Sequence, residues 1–238
     1  MKKLLLSIFA LGCITATAQT YKEWQDPTIN QVNRAPMHAA FFAYESLEAS
    51  QKAMELSENY LDINGVWKFT WQKDAVNYVS DFYKTTYNDE TWGKMPVPGM
   101  WELNGYGDPQ YTNADYAWDR QFKNNPPYGP TEDNHIGYYR HEVNVPAAWA
   151  GKQVLIHIGA ASSNMYLWIN GKYVGYSEDN KLEEEFDITP YVKPGKNLIA
   201  IQMFRWCDGT YLEDKDFFSY AGIARDCYLY ARGKTHIE

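Results

Sequence analysis

Leu167-Trp168-Ile169-Asn170-Gly171-Lys172-Tyr173-Val174-Gly175-Tyr176 constrains the fold more than any other stretch of the chain. Asn-Gly supplies the two positive φ angles of a type I′ turn and alternating residues flank it, so the segment reads as an antiparallel hairpin. Gly65-Val66-Trp67-Lys68-Phe69-Thr70-Trp71 alternates apolar and polar with the same period of two, the mark of a strand with one buried face. Further strands are expected at 136–145, 154–158, 198–206 and 227–231, with a turn at Pro194-Gly195-Lys196-Asn197. Trp92 to Trp101 contains Met95-Pro96-Val97-Pro98-Gly99, and two prolines confine such a segment to a sheet edge or a crossing. Short strands at this spacing, without a strong run of amphipathic helices, imply an all-β fold, an antiparallel jelly-roll β-sandwich.

At 238 residues and 45% hydrophobic content, the chain can bury one large β domain. Its first 18 residues read as a signal peptide. Met1-Lys2-Lys3 is basic, Leu4 to Ile14 is apolar but shorter than the ~20 residues of a membrane span, and Ala16-Thr17-Ala18 is a cleavage site. The alternative is a lipoprotein signal acylated at Cys13. Either route exports the chain, to the periplasm or beyond, and no membrane span is expected. Residues 19–59 form an irregular N-terminal strap, turn-rich at Glu23-Trp24-Gln25-Asp26-Pro27 and Asn33-Arg34-Ala35-Pro36, with a short helix within Ser46 to Ser57. Residues 60–238 are then the jelly roll. The long Leu103 to His135 segment is of a size that tends to be functional.

Charge excludes one class of partner. The net charge is −8, and removing residues 1–18 takes away Lys2 and Lys3 with no acid, leaving 20 basic against 30 acidic groups, or −10. Such a surface repels phosphate backbones and anionic lipid, so nucleic acid is not an expected ligand. An aromatic content of 16% suits stacking on neutral sugar rings as well as strand packing. Without Cys13, Cys207 and Cys227 remain, either as a disulfide in an oxidising compartment or as two buried thiols.

Glycoside hydrolysis requires two carboxylates about 5 to 9 Å apart across the scissile bond. The candidates are Glu183, Glu184 and Glu185, and Glu213, Asp214 and Asp216, but sequential acids on turns are usually solvated faces or caps. No catalytic pair is therefore expected in this chain. Binding residues are better placed. Asp208, after a strand and before Gly209, can present a carboxylate to sugar hydroxyls or a cation, or can simply make an Asp-Gly turn. Asn113, in Tyr111-Thr112-Asn113, offers an amide that both donates and accepts, or is again a loop residue. Trp118 and Trp206 are candidate stacking platforms, with core burial the alternative for Trp206.

Phe204-Arg205-Trp206-Cys207-Asp208-Gly209-Thr210-Tyr211-Leu212-Glu213-Asp214 and Ser219 to Asp226 combine with Glu23-Trp24, Asn33-Arg34, Leu61 to Trp67, Val97 to Trp101, Asn125-Pro126-Pro127 and Gly171 to Ser177. Together they resemble the N-terminal sugar-binding domain of the large bacterial β-galactosidases of glycoside hydrolase family 2, from about Glu23 to the end of the chain. The resemblance implies a galactose-binding-domain-like jelly roll with a β-galactoside ligand. It implies Asn113 and Asp208 as substrate-binding residues and Asp208 as a sodium ligand. By the same resemblance, the family's catalytic glutamates, magnesium ligands and remaining sodium ligands belong to a downstream barrel, which this chain is expected to lack. The expectation is thus the sugar-binding domain of an exported β-galactosidase, a truncated chain inactive alone, whose partner is the missing barrel. The alternatives are a stand-alone carbohydrate-binding module and a structural interaction domain whose aromatics are all core. The aromatic stretch Tyr116 to Lys123 is longer than in some relatives, which leaves open the placing of Asn113 and any preference beyond the galactosyl unit.

Overall fold

Alternation along the strands settles the chain into two antiparallel sheets around a shared core. The structure, a computed structural model, describes residues 22–118, 121–179, 181–213 and 216–236, so the signal peptide expected at 1–18 lies outside the described residues. The larger sheet runs, in spatial order, β1 (Gln31–Val32), β11 (Lys172–Ser177), β10 (Met165–Ile169), β13 (Gly195–Phe204), β7 (Ile136–Val145), β3 (Gly65–Gln72) and β4 (Gly93–Val97). The smaller runs β12 (Glu184–Asp187), β8 (Gln153–Ile158), β16 (Cys227–Arg232) and β2 (Tyr60–Asp62). Two minor sheets complete the fold: β5 (Gly99–Met100), β15 (Gly222–Ile223) and β9 (Ala161–Ser162), and the ribbon of β6 (Gln110–Thr112) with β14 (Phe217–Ser219). No helix among the described residues is long and apolar enough to cross a membrane.

The sandwich filling comes from inward positions of both sheets. Trp67, Phe69, Tyr139, Leu167 and Ile201 from the larger sheet share one buried cluster with Ile156, Phe186 and Leu229 from the smaller. Each such side chain contributes about 1.5 to 3 kcal/mol on burial. The larger sheet is covered on its outer face as well. There Tyr138, Tyr166, Trp168, Tyr176 and Phe204 pack with Trp24 of the strap and with Ala75 and Phe82, and Trp24 stacks on Phe204 at 4.5 Å. This second cover explains why all five residues of β10 are buried instead of alternate ones.

The hairpin forms as expected, with Asn170 at φ 52°, Gly171 at φ 81° and Ile169 paired with Lys172. The proline-bearing β4 takes an edge of its sheet. β13 begins at Gly195, three residues before the expected start, and ends at Phe204, because Asn134 then takes over the backbone of Trp206.

Two expectations are overturned. Instead of a helix, Ser46 to Ser57 holds two 3₁₀ turns, Ala49–Gln51 and Met54–Leu56, with Leu47 82% and Leu56 71% exposed. A helix that short needs an apolar face to bury, and these leucines meet no core. The acidic run 183–185 is not a solvated turn either. Pairing with β8 places Glu184 opposite Ile158 and Phe186 opposite Ile156, and the two-residue period carries both inside.

Candidate functional site

Asp208 opens a 3₁₀ turn, Asp208–Tyr211, just beyond the end of β13. Side chains hold the backbone there once the ladder stops. Asn134 accepts from the Trp206 amide at 2.9 Å and donates to its carbonyl at 3.0 Å, while the Cys207 amide donates to Thr210 Oγ1 at 3.0 Å. The turn closes with Thr210 N on Cys207 O at 3.1 Å and Leu212 N on Gly209 O at 2.9 Å. Asp208 is 6% exposed, and its Oδ1 has no hydrogen-bond partner. A buried carboxylate oxygen left unpaired is costly unless a ligand completes it.

Glu178 is the neighbour that sequence reasoning missed. It follows β11 directly, its amide donates to Asn30 O at 3.1 Å, and Tyr176 Oη donates to its Oε1 at 2.6 Å. Its Oε2 lies 2.7 Å from the point where a Cβ on Gly209 would stand, so a side chain there would have to displace the Glu178 carboxylate. Burial foremost, opposed by the Tyr176 hydrogen bond and reinforced by the Asp208 charge, pushes Glu178 up to about 8. Burial also raises Asp208. Near neutral pH the pair therefore retains a proton that two exposed carboxyls would lose. Cys207 sits beside them, wholly buried, with its thiol raised by desolvation.

Asn113 is placed differently. It is exposed just past β6, and among the described residues no hydrogen bond joins its side chain to the Asp208 turn. The loop that does meet this turn carries Asn125, whose backbone N–H donates to Tyr211 Oη at 3.1 Å; that hydroxyl in turn donates to Tyr128 O at 2.9 Å. Trp118 and Trp206, each 1% exposed, are core residues rather than stacking platforms, packed together at 5.3 Å. Tyr211 closes the same cluster edge-on to Trp118 at 5.0 Å.

The Glu185 carboxylate is hydrogen bonded to His157 at 2.8 Å, Tyr230 at 2.7 Å and His38 at 3.1 Å. Glu184 is fully buried, and burial raises it strongly, opposed in part by the charge of Arg34 and by Ser177. Asp216 accepts from Tyr111 Oη, and Asp214 lies outside the described residues. Cys207 and Cys227 are free buried thiols. An unpaired hard oxygen on Asp208 fits a role as one ligand of a cation such as sodium.

Residues 60–233 match the family model described as glycosyl hydrolases family 2, sugar binding domain. The chain belongs to this family. A β-galactosidase from Priestia megaterium is 40% identical over 225 residues, covering 94% of this chain and 22% of that enzyme. One from Streptococcus thermophilus is 36% identical over 226 residues, with 94% and 22% covered. This sugar-binding domain thus spans about a fifth of the length of those relatives. A crystal structure of Bacteroides uniformis β-glucuronidase shares the fold at a TM-score of 0.55 and 24% identity, covering 73% of this chain and 18% of that one.

Proposed function

We propose that the chain is the sugar-binding domain of an exported β-galactosidase, acting on terminal β-D-galactosides with a catalytic barrel that supplies the paired glutamates. Asp208 and Asn113 are its contacts with the galactosyl unit, and Asp208 shares a sodium ion with oxygens of the barrel, which also holds magnesium. The observation that carries this reading is the buried Asp208 carboxylate with its unpartnered Oδ1 at the end of β13, in a domain whose relatives are β-galactosidases. The basic, apolar and small-residue succession over residues 1–18 supports export.

A binding site with one wall forms few hydrogen bonds against the cost of immobilising a sugar. The chain alone should therefore bind galactose no more tightly than the millimolar range, about −4 kcal/mol, and should not hydrolyse aryl β-galactosides. Micromolar binding by the chain alone would favour the stand-alone module. Joined to a catalytic barrel, Asp208→Asn and Asn113→Ala should each lower kcat/KM by at least about tenfold, or about 1.4 kcal/mol, with the melting temperature unchanged. Wild-type kinetics in Asp208→Asn would reduce Asp208 to a turn residue.

A further inference from the structure

Tyr128 stands as a ridge between two surface hollows, neither of which is lined by Asp208, Glu178 or Cys207. One, of about 540 Å³, is walled by Lys22, Trp24, Asp26 and Tyr78; the other, of about 440 Å³, by Phe122, Lys123, Asn125 and Glu132. Gln25 lines both, and its Nε2 donates to Gly129 O at 3.4 Å. The first wall is braced from behind: Tyr78 meets Phe204 edge-on at 5.6 Å, and Trp24 stacks on the same ring at 4.5 Å. Thr28 N and Oγ1 both donate to Asp26 Oδ1, at 3.0 and 2.6 Å, which fixes that carboxylate and leaves Oδ2 to a ligand. Tyr128 is held by its backbone, its N–H donating to Asn125 O at 2.8 Å and its carbonyl accepting from Tyr211 Oη at 2.9 Å. The residue is therefore rigidly placed yet 52% exposed.

We propose that the two hollows form an accessory site for a neutral oligosaccharide laid across Tyr128. Each is of the size usual for small-ligand sites, about 300 to 1,000 Å³. Charge selects the class of ligand. Each hollow sets one base against one acid, Lys22 against Asp26 and Lys123 against Glu132, so neither attracts a phosphate, a polyanion or a polycation. Carboxylate and amide oxygens accept from hydroxyls while ammonium and amide hydrogens donate to them, which suits a ligand whose every hydroxyl does both. Tyrosine, with an apolar body and a polar tip, supplies the faces on which pyranose rings pack. A chain of sugars fits better than one ring, because only consecutive units reach both sides of the ridge. That the units are β-linked galactose rests on the proposed β-galactosidase reading; the site itself rests on the two hollows and on the sugar-binding family.

The experiment is isothermal titration calorimetry of the full chain with galactose, a linear β-galactan tetrasaccharide and cellotetraose. The galactan tetrasaccharide should bind at least about tenfold more tightly than galactose, which fills one hollow only. Tyr128→Ala should abolish that gain with the melting temperature unchanged, since the bonds that hold the turn are made by its backbone, and Tyr128→Phe should retain it. Tyr128-dependent binding of cellotetraose alone would uphold the site while refuting its link to β-galactosides. The proposal is overturned by tetrasaccharides that bind no better than galactose, by a gain that survives Tyr128→Ala, or by a gain lost in Asp208→Asn instead. Binding that emerges only once residues 1–21 are removed would also overturn it, by giving the first hollow to the chain's own N-terminal segment.

Discussion

Replacing Glu178 by glutamine should make the fold less sensitive to alkali, and the sign follows from the acid pair. In the unfolded chain Glu178 titrates near 4.5, whereas in the folded protein burial and the Asp208 charge raise it to about 8. Between those values the native state holds a proton that the unfolded state has released, so stability falls as pH rises through the window. A lone group with that span would contribute about 4 to 5 kcal/mol. Asp208 takes up part of the proton, and the expected effect is roughly half, about 2 kcal/mol. Glutamine has the shape of the protonated acid; it can accept from Tyr176 and donate toward Asp208 at every pH.

The assay is urea denaturation followed by tryptophan fluorescence at several pH values from 5 to 8, with a chelator present. Wild type and Glu178→Gln should be nearly equally stable at pH 5, and the mutant should be more stable by about 2 kcal/mol at pH 8. Other groups cancel in the difference. Glu102 and Glu184 are also raised by burial and share the sign, while His135 and His141 are lowered by burial and oppose it. Parallel curves for the two proteins, or a mutant that loses ground as pH rises, would refute the shared-proton account.

Gly209→Ala should destabilise by about 1 to 3 kcal/mol, because its Cβ would stand 2.7 Å from Glu178 Oε2; a double-mutant cycle with Glu178→Ala should recover most of that loss in chemical denaturation. Arg34→Ala should cost about 2 to 4 kcal/mol, since Nη1 donates to Ser177 Oγ at 2.9 Å, Glu178 O at 3.1 Å and Asp179 Oδ2 at 2.8 Å. An Arg34→Ala melt indistinguishable from wild type would show that the strap is only loosely held. Cys207 and Cys227, both buried and with thiols raised by desolvation, Cys227 to about 12, should resist a thiol reagent in the native chain and react in urea. Rapid native labelling of either would place that sulfur at the surface.

Where one local rule dominates, the sequence speaks plainly. Asn170-Gly171 dictates its turn, prolines 96 and 98 keep their segment at an edge, and β7 has the expected bounds, Ile136–Val145. Strands of two to four residues such as β2, β12 and β15 were not legible, since their residues are held by distant partners rather than by a pattern of their own. Glu184 shows the principle. Three acids in a row signal solvent, yet the ladder with β8 overrides that signal and carries the middle one into the core beside the charge of Arg34.

The site divides in the same way. Asp208 could be singled out because it follows a strand and precedes glycine, and the Asp-Gly pair does open a turn, but the approach of Glu178 to that glycine left no local signal there. Gly209 is absent from the positive-φ positions; what a side chain there would displace is the carboxylate of Glu178, thirty-one residues earlier in sequence. The only local sign was an acid closing the otherwise apolar run Tyr173 to Tyr176, and a carboxyl there is as easily solvated as buried. Three-dimensional pairing of β10 with β13 decides the matter, because it sets the end of β11 beside the end of β13. Whatever ligand the Asp208 carboxylate meets, its charge and direction are therefore governed from β11, and a substitution at Glu178 should perturb that ligand without touching it.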